Sequence, residues 1–403
     1  MAQATTGIRD RLAQVGSAGS GDEAPARIRK RNGLSSIVYL PQLIPTLLLV
    51  AYGLLTVWSA SLTIDAASFP RQLVGAALGL VAGAFIWRYD YRSLANYTRV
   101  LLVADIVLML LPSVPGLGYE ANGMTGWVMI PVIHLRFQPS ELAKIVTIVL
   151  MAALTAQYNG AIETLKDYVK LCAALCVPFL LILTQPDLGT GLVVLILGAA
   201  IIIVGGAKKT WVTVTIALIV AVAALAVVTS MTDGLPHVLK AYQLNRLLSF
   251  IDPSVDPTGS GYNIQQAKIA VGSGGLFGKG IGNATQSGTG FLPEAHTDFV
   301  FALLAETFGF FGALLLLALY GWMLFATIML ALRCESIYGK LVLVGIVAMW
   351  TFQILENIGM CIGLMPVTGI PLPFISFGSS SMVVQLMAVG LVQSVYHHQR
   401  RAA

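Results

Sequence analysis

Of the 403 residues, 57% are hydrophobic and 11% charged, and the formal net charge is +5. Soluble domains carry about 25% charged residues, so this composition, with a mean hydropathy of +0.81, excludes a water-soluble globular chain. The positive charges sit at the ends of apolar runs, which points to membrane topology and gives no support to a nucleic-acid surface.

Residues 1–35 are polar and rich in Ala, Gly and Arg. They lack a signal-peptide apolar region and read as a disordered basic cytoplasmic tail. The tail ends in RIRKR (27–31), which reads as a positive-inside anchor, with an acidic partner as the other use of such a cluster. From residue 38 onward, apolar runs of spanning length recur at about 38–61, 70–88, 98–113, 139–157, 168–184, 188–205, 211–230, 296–331, 341–365 and 373–396. The expected fold class is all-α: a polytopic integral membrane protein with about ten transmembrane helices. The eighth run is long for one span, which predicts tilt or protrusion.

With the N-terminus inside, the inner loops hold Arg88 and Arg92, Lys166 and Lys170, Lys208 and Lys209, Arg333 and Lys340, and then Arg400 and Arg401. Both termini are therefore expected in the cytoplasm. The outer segments are 62–69, 114–138, 185–187, 231–295 and 366–372, so a large extracellular loop, 231–295, joins spans 7 and 8. Residues 36–403 read as a single transmembrane domain. Long loops tend to carry function, which places the working side outside.

The cysteines Cys172, Cys176, Cys334 and Cys361 avoid the outer loops, so no disulfide framework is implied. The glycine-rich run GSGGLFGKGIGNATQSGTG (272–290) fails as a phosphate-binding loop, because Ser273 and Gly280 stand where that pattern needs Gly and Ser/Thr. It reads as a flexible loop lying along the membrane surface.

Each span running from outside to inside has a proline near its outer start: Pro70, Pro139, Pro186, Pro293 and Pro373. Proline suits a first helical turn, so helices are expected to begin there, with N–H groups available to an anionic head group such as pyrophosphate. FQPSELAK (137–144) puts Glu141 and Lys144 on one face. In TQPDLGTG (184–191), Asp187 reads as a cap. LPEAHTDF (292–299) puts Glu294 and Asp298 four apart, on one face if the helix starts at Pro293. Asp298 precedes FVFALLA, at the depth where a charge must be paired or functional. His296 and Glu306 make that region polar at further levels. Asp105, and Glu356 with Asn357, fall within spans and read as glue between helices. The run GLMPVTGIPLPFISFGSSS (363–381) is broken backbone bordering the same outer pocket.

FQPSELAK, TQPDLGT, the stretch from DPTGSGYNIQQAKIAVGSGGLFGKG to FLPEAHTDF, and NIGMCIGLMPVTGIPLPFISFGSSS together resemble the SEDS family of bacterial cell-wall polymerases. This is the group of RodA and FtsW, and the forms here look closer to RodA. The resemblance spans about residues 38–397. It implies a peptidoglycan glycosyltransferase that joins units from lipid II at the outer face of the bacterial plasma membrane and releases undecaprenyl pyrophosphate. The family's essential aspartate falls on Asp298, its outer-loop tryptophan on Trp127, and the residues around its QPSE motif on Arg136, Glu141 and Lys144. His296, Glu306, Ser379 and Ser380 complete the expected substrate-binding set. A divalent cation, Mg or Mn, is expected beside Asp298 and no organic cofactor. The implied partners are lipid II, the undecaprenyl-pyrophosphate-linked glycan, membrane lipids and a class B penicillin-binding protein transpeptidase. The chain departs from the family pattern at Gly126, where Arg is usual, at Phe377 and Ser379, where Tyr and Gly are usual, and at Thr307, where a second Glu often follows Glu306. A lipid II flippase would also use broken helices and buried acids. The short inner loops and the lack of a visible repeat argue against it, and a non-catalytic scaffold is the third reading.

Overall fold

The computed structural model describes residues 37–114, 116–121, 124–130, 135–185, 187–232, 239 and 241–402. The tail with its RIRKR cluster and Pro186 lie outside the described residues, as does the side chain of Arg136. Residues Val38–Ala403 form one compact unit.

Twelve α-helices of ten or more residues order the described chain: α1 Leu40–Ser61, α2 Phe69–Arg88, α3 Thr98–Leu110, α4 Pro139–Ala156, α5 Leu165–Leu183, α6 Leu188–Val204, α7 Lys209–Met231, α8 Ala241–Ile251, α9 Ser260–Ser273, α10 Val300–Leu332, α11 Ile337–Ile362 and α12 Ser379–Ala402. Short helical turns extend α3 into a continuous stretch, Tyr91–Ser113. Among the described residues, eight helices are long and apolar enough to cross a membrane. The other two expected spans are also helical. α6 is a shorter apolar helix, and α5 carries Lys166, Asp167 and Lys170 in its first turns. The protein is an all-α polytopic membrane protein. Its outer faces support this physically: Ser230 is the only buried residue of α7, and a helix that is apolar all round yet exposed needs lipid as its solvent.

The packing of α12 on α2 depends on side-chain size. Gly75, Gly79 and Gly83 recur every four residues along α2, and a Cβ at Gly83 would fall 2.6 Å from the Leu386 carbonyl oxygen. A small-xxx-small stripe of this kind lets two backbones approach where no hydrophobic drive separates helix from lipid. Elsewhere buried polar pairs join spans: Thr147 Oγ1 donates to Asp105 Oδ2 at 2.8 Å, linking α4 to α3, as expected of a mid-span polar residue.

Four expectations change. First, the outer segment 114–138 contains a three-stranded antiparallel sheet, β1 Gly118–Ala121, β2 Met124–Ile130 and β3 Leu135–Phe137, in the order β1-β2-β3. Second, α10 is not one unbroken helix: it breaks at Gly309, where φ is 69° and ψ is −165°. The freed backbone groups are satisfied by the preceding loop: Lys279 N–H and Gly280 N–H donate to the Glu306 and Thr307 carbonyls, and Phe310 N–H and Phe311 N–H donate to Gly275 and Leu276. A Cβ at Gly309 would lie 2.3 Å from Gly278 N, so the approach requires glycine. Third, this tethering docks the 272–290 run onto α10, so the run is not a free flexible loop. Fourth, Pro70 and Pro139 lie in the first turns of α2 and α4, but Pro293 and Pro373 precede their helices by several residues. Glu294 and Phe374 take left-handed φ values of 51° and 66°, and those two turns bond to each other instead of starting helices.

Candidate active site

Because α10 begins only at Val300, with Phe299 as its N-cap, Asp298 belongs to a turn. The N–H groups of Thr297, Asp298 and Phe299 all donate to the Glu294 carbonyl, at 3.2, 3.0 and 3.2 Å. Asp298 and Glu294 therefore do not share a helical face, and the positive end of a helix dipole does not govern the Asp298 carboxyl. Burial does. It pushes the Asp298 pKa up to about 7, with Glu294 and Asp187 adding to the rise and Thr297 and Arg246 opposing it. The residue as a whole is half-buried. Its Oδ2 lies 3.1 Å from where a Cβ on Gly369 would stand, and Gly369 has φ +77°. Glycine at 369 thus leaves the space that the carboxylate occupies.

The second group stands at the paired starts of α4 and α6. Lys144 Nζ donates to Glu141 Oε1 at 2.7 Å with both side chains buried, and Glu141 Oε2 has no partner among the described residues. Asp187 caps α6 by accepting from Thr190 N–H at 3.0 Å, as its position predicts. Gln138 Nε2 donates to the other Asp187 oxygen at 3.3 Å, which ties the two helix starts together. Burial raises the Asp187 pKa; Glu141 adds to that and Lys144 opposes it. The electrostatics therefore run from Glu141 and Lys144 through Asp187 to Asp298. Of the five helix starts expected to offer N–H groups, those of α4 and α6 converge here.

The sheet lies beside this group. β2 carries the half-buried Trp127 opposite Tyr119, and a Cβ at Gly126 would be 3.9 Å from Gln185 Oε1. Arg136 pairs with Met129 in β3; its side chain is outside the described residues. His296 is buried against the Phe377 ring at a centroid distance of 5.4 Å. Burial lowers its pKa, against the pull of Glu294.

Two expected substrate contacts are otherwise engaged. Glu306 is fully buried. It accepts from Lys279 Nζ at 2.7 Å, Thr285 N–H at 3.0 Å, Gln286 N–H at 2.8 Å, Ser287 N–H at 2.9 Å and Ser287 Oγ at 2.7 Å. A carboxylate so occupied holds the 279–287 loop and has no free face for substrate. Ser379 donates its hydroxyl to the Arg71 carbonyl at 3.0 Å, joining α12 to α2. Ser380 is buried in the first turn of α12.

Two contributors escaped the sequence, and a third was legible only in another role. Arg246 on α8 acts on Asp298; as the sole charged residue of AYQLNRLLSFI it was a readable signal. Gly369 walls the carboxylate, and nothing local distinguishes it from neighbouring glycines. Asn357 reads as interhelical glue, yet its Nδ2 donates to the Asp298 carbonyl at 2.7 Å.

The family model described as cell cycle protein (FtsW, RodA, SpoVE) matches residues 41–401. The chain belongs to the FtsW/RodA/SpoVE family. It is 37% identical to stage V sporulation protein E of Bacillus subtilis (strain 168), over 88% of this chain and 96% of that one. It is 35% identical to the peptidoglycan glycosyltransferase MrdB of Escherichia coli (strain K12), over 88% and 94%. Its fold matches a chain from a solved peptidoglycan synthase complex, described as coordinating polymerization and crosslinking, with a TM-score of 0.74 and 31% identity over 89% and 97%. Thr307 is bonded within its own helix: its Oγ1 donates to the Leu303 carbonyl at 2.8 Å.

Proposed function

We propose that this chain is a peptidoglycan glycosyltransferase that polymerises lipid II at the outer face of the bacterial plasma membrane. The observation carrying the reading is Asp298: a half-buried residue at the mouth of α10 whose carboxylate rests against Gly369, its pKa raised to about 7. That value suits a general base at neutral pH, because the ionised form is well populated and still basic enough to take a proton. Relatives of the chain carry the name peptidoglycan glycosyltransferase, which supports the substrate class.

In this reading the growing glycan, linked through its anomeric carbon to undecaprenyl pyrophosphate, is the donor, and the GlcNAc 4-hydroxyl of an incoming lipid II is the acceptor. The acceptor oxygen bonds to the anomeric carbon, the carbon–phosphate oxygen bond breaks, the hydroxyl proton passes to Asp298, and undecaprenyl pyrophosphate departs. Lys144 has three N–H donors and Glu141 takes one. With Arg136 and the N-termini of α4 and α6, it would stabilise the departing pyrophosphate. Trp127 would stack on a sugar face, and His296 and Ser380 would line the pocket.

Among the described residues no group of three or more His, Cys, Asp or Glu side chains comes together to hold a metal. As the alternative to its general-base role, Asp298 would hold a divalent cation, Mg or Mn, together with substrate phosphate oxygens and water. There it would neutralise leaving-group charge. The positive-inside pattern supports cytoplasmic termini and an outer active site. A class B penicillin-binding protein is the proposed partner, in keeping with the synthase complex that the fold matches.

Purified protein, with its transpeptidase partner, lipid II and a divalent cation, is expected to yield glycan polymer on a gel. Asp298→Ala should abolish it without unfolding the protein. Equal polymer from that variant would overturn the assignment of Asp298, and lipid scrambling in liposomes without polymer would favour a flippase.

A further inference from the structure

The carbonyls of His296, Thr297 and Asp298 are turned away from α10, and each is taken by the last outer segment or by α11. Phe377 N–H donates to the His296 carbonyl at 2.9 Å. Ser376 Oγ donates to the Thr297 carbonyl at 2.6 Å, and Asn357 Nδ2 donates to the Asp298 carbonyl at 2.7 Å. The second hydrogen of the same amide goes to the Ile370 carbonyl at 2.8 Å. Asn357 is fully buried, and its Oδ1 has no partner among the described residues. Flipping the amide would set that oxygen against two carbonyls, so only the donor orientation is stable.

The neighbouring Glu356 accepts from Thr368 Oγ1. Thus α11 grips the chain at Thr368 and at Ile370, on either side of the Gly369 that walls the Asp298 carboxylate. A buried amide oxygen left without a partner costs stability, so the gain must come from the two donors.

We infer that Asn357 is a positioning residue: its amide clamps the Asp298 turn to the Gly369 segment and so fixes where the Asp298 carboxylate stands. This rests on the reading of Asp298 as the catalytic group. Its side chain does not touch the reacting atoms; it acts through the backbone on both sides of the carboxylate. A shift of about 1 Å in a catalytic group costs up to about 100-fold in rate.

The test compares the full chain with Asn357→Ala, Asn357→Asp and Ser376→Ala in lipid II polymerisation kinetics, with hydrogen exchange of a peptide spanning 292–299. The two Asn357 variants should lose roughly 10- to 100-fold in kcat while KM for lipid II stays within about twofold. Exchange should accelerate at Thr297, Asp298 and Phe299 while α11 keeps its protection. A kcat within twofold of the parent, or faster exchange spread equally over α10 and α11, would overturn the inference. If the Asn357 variants do not extract as folded protein, Ser376→Ala decides: the same signature at smaller size supports the clamp, and parent-like rate and exchange overturn it. Asp298→Ala in the same assay separates the two readings. Full activity there removes the site assignment, whereas its loss alongside an unaffected Asn357→Ala removes the clamp alone.

Discussion

Glu306 and Asp298 lie eight residues apart on one stretch of chain, and their surroundings are opposite. Glu306 is sealed, and both of its oxygens accept from the loop that repairs the break in α10. Asp298 keeps part of its surface and rests against a glycine that leaves it room. Its backbone is held tightly, while its carboxylate stays available. Hydrogen bonds aimed at a carboxylate make it structural, whereas hydrogen bonds aimed at the peptide beneath it make it a tool.

The strongest challenge to that contrast is to neutralise each acid in turn. Asp298→Asn should cost roughly 10²- to 10⁴-fold in polymerisation rate, the range for removing a general base, with no loss of thermal stability. The stability profile supplies the sign. The folded pKa of Asp298 is raised to about 7 from an ordinary carboxylate value of about 4. The parent therefore loses stability as pH rises through that interval, and Asp298→Asn should not. Thermal melts at pH 5 and pH 8 check this, and a parallel loss in both proteins would refute it. Glu306→Gln should behave in reverse: destabilisation of about 3 kcal/mol, since N–H donors would then face an amide in place of an anion. Activity in the folded fraction should fall much less than for Asp298→Asn. Denaturation in detergent and polymer yield measure the two.

Gly369→Ala tests the room beside Asp298. Strain at φ +77° costs about 1–2 kcal/mol, and a displaced carboxylate should lower kcat by about tenfold. The smallest expected change is Glu294→Gln. Glu294 raises the Asp298 pKa, so the acid limb of the rate profile should move to lower pH by less than about one unit. Movement upward would show that Glu294 acts on Asp298 by another route.

The sequence was most legible where a residue's role depends on immediate neighbours. Apolar runs marked the spans, Asp187 announced its cap, and Asp298 stood out because a charge at that depth demands a reason. It was least legible where one segment answers to another. Pro293 and Pro373 carry a helix-start signal, but the turns that follow them bond to each other across 79 residues, as between Ser376 and Thr297. The sheet at 118–137 was hidden because its strands are short and irregular. Glu306 read as pocket lining because nothing local reveals that a loop 20 residues earlier wraps its carboxylate.

By itself, then, the amino-acid sequence determined that the chain is a bundle of membrane-spanning helices with an acid at the mouth of the eighth, because hydropathy and the cost of a buried charge act residue by residue. Tertiary structure alone decided which acid is sealed and which is free, where α10 begins and breaks, and that Asn357 serves the Asp298 turn. Those outcomes depend on which backbone carbonyls and amides find partners in distant segments, and hydrogen-bond satisfaction is a property of the packed whole.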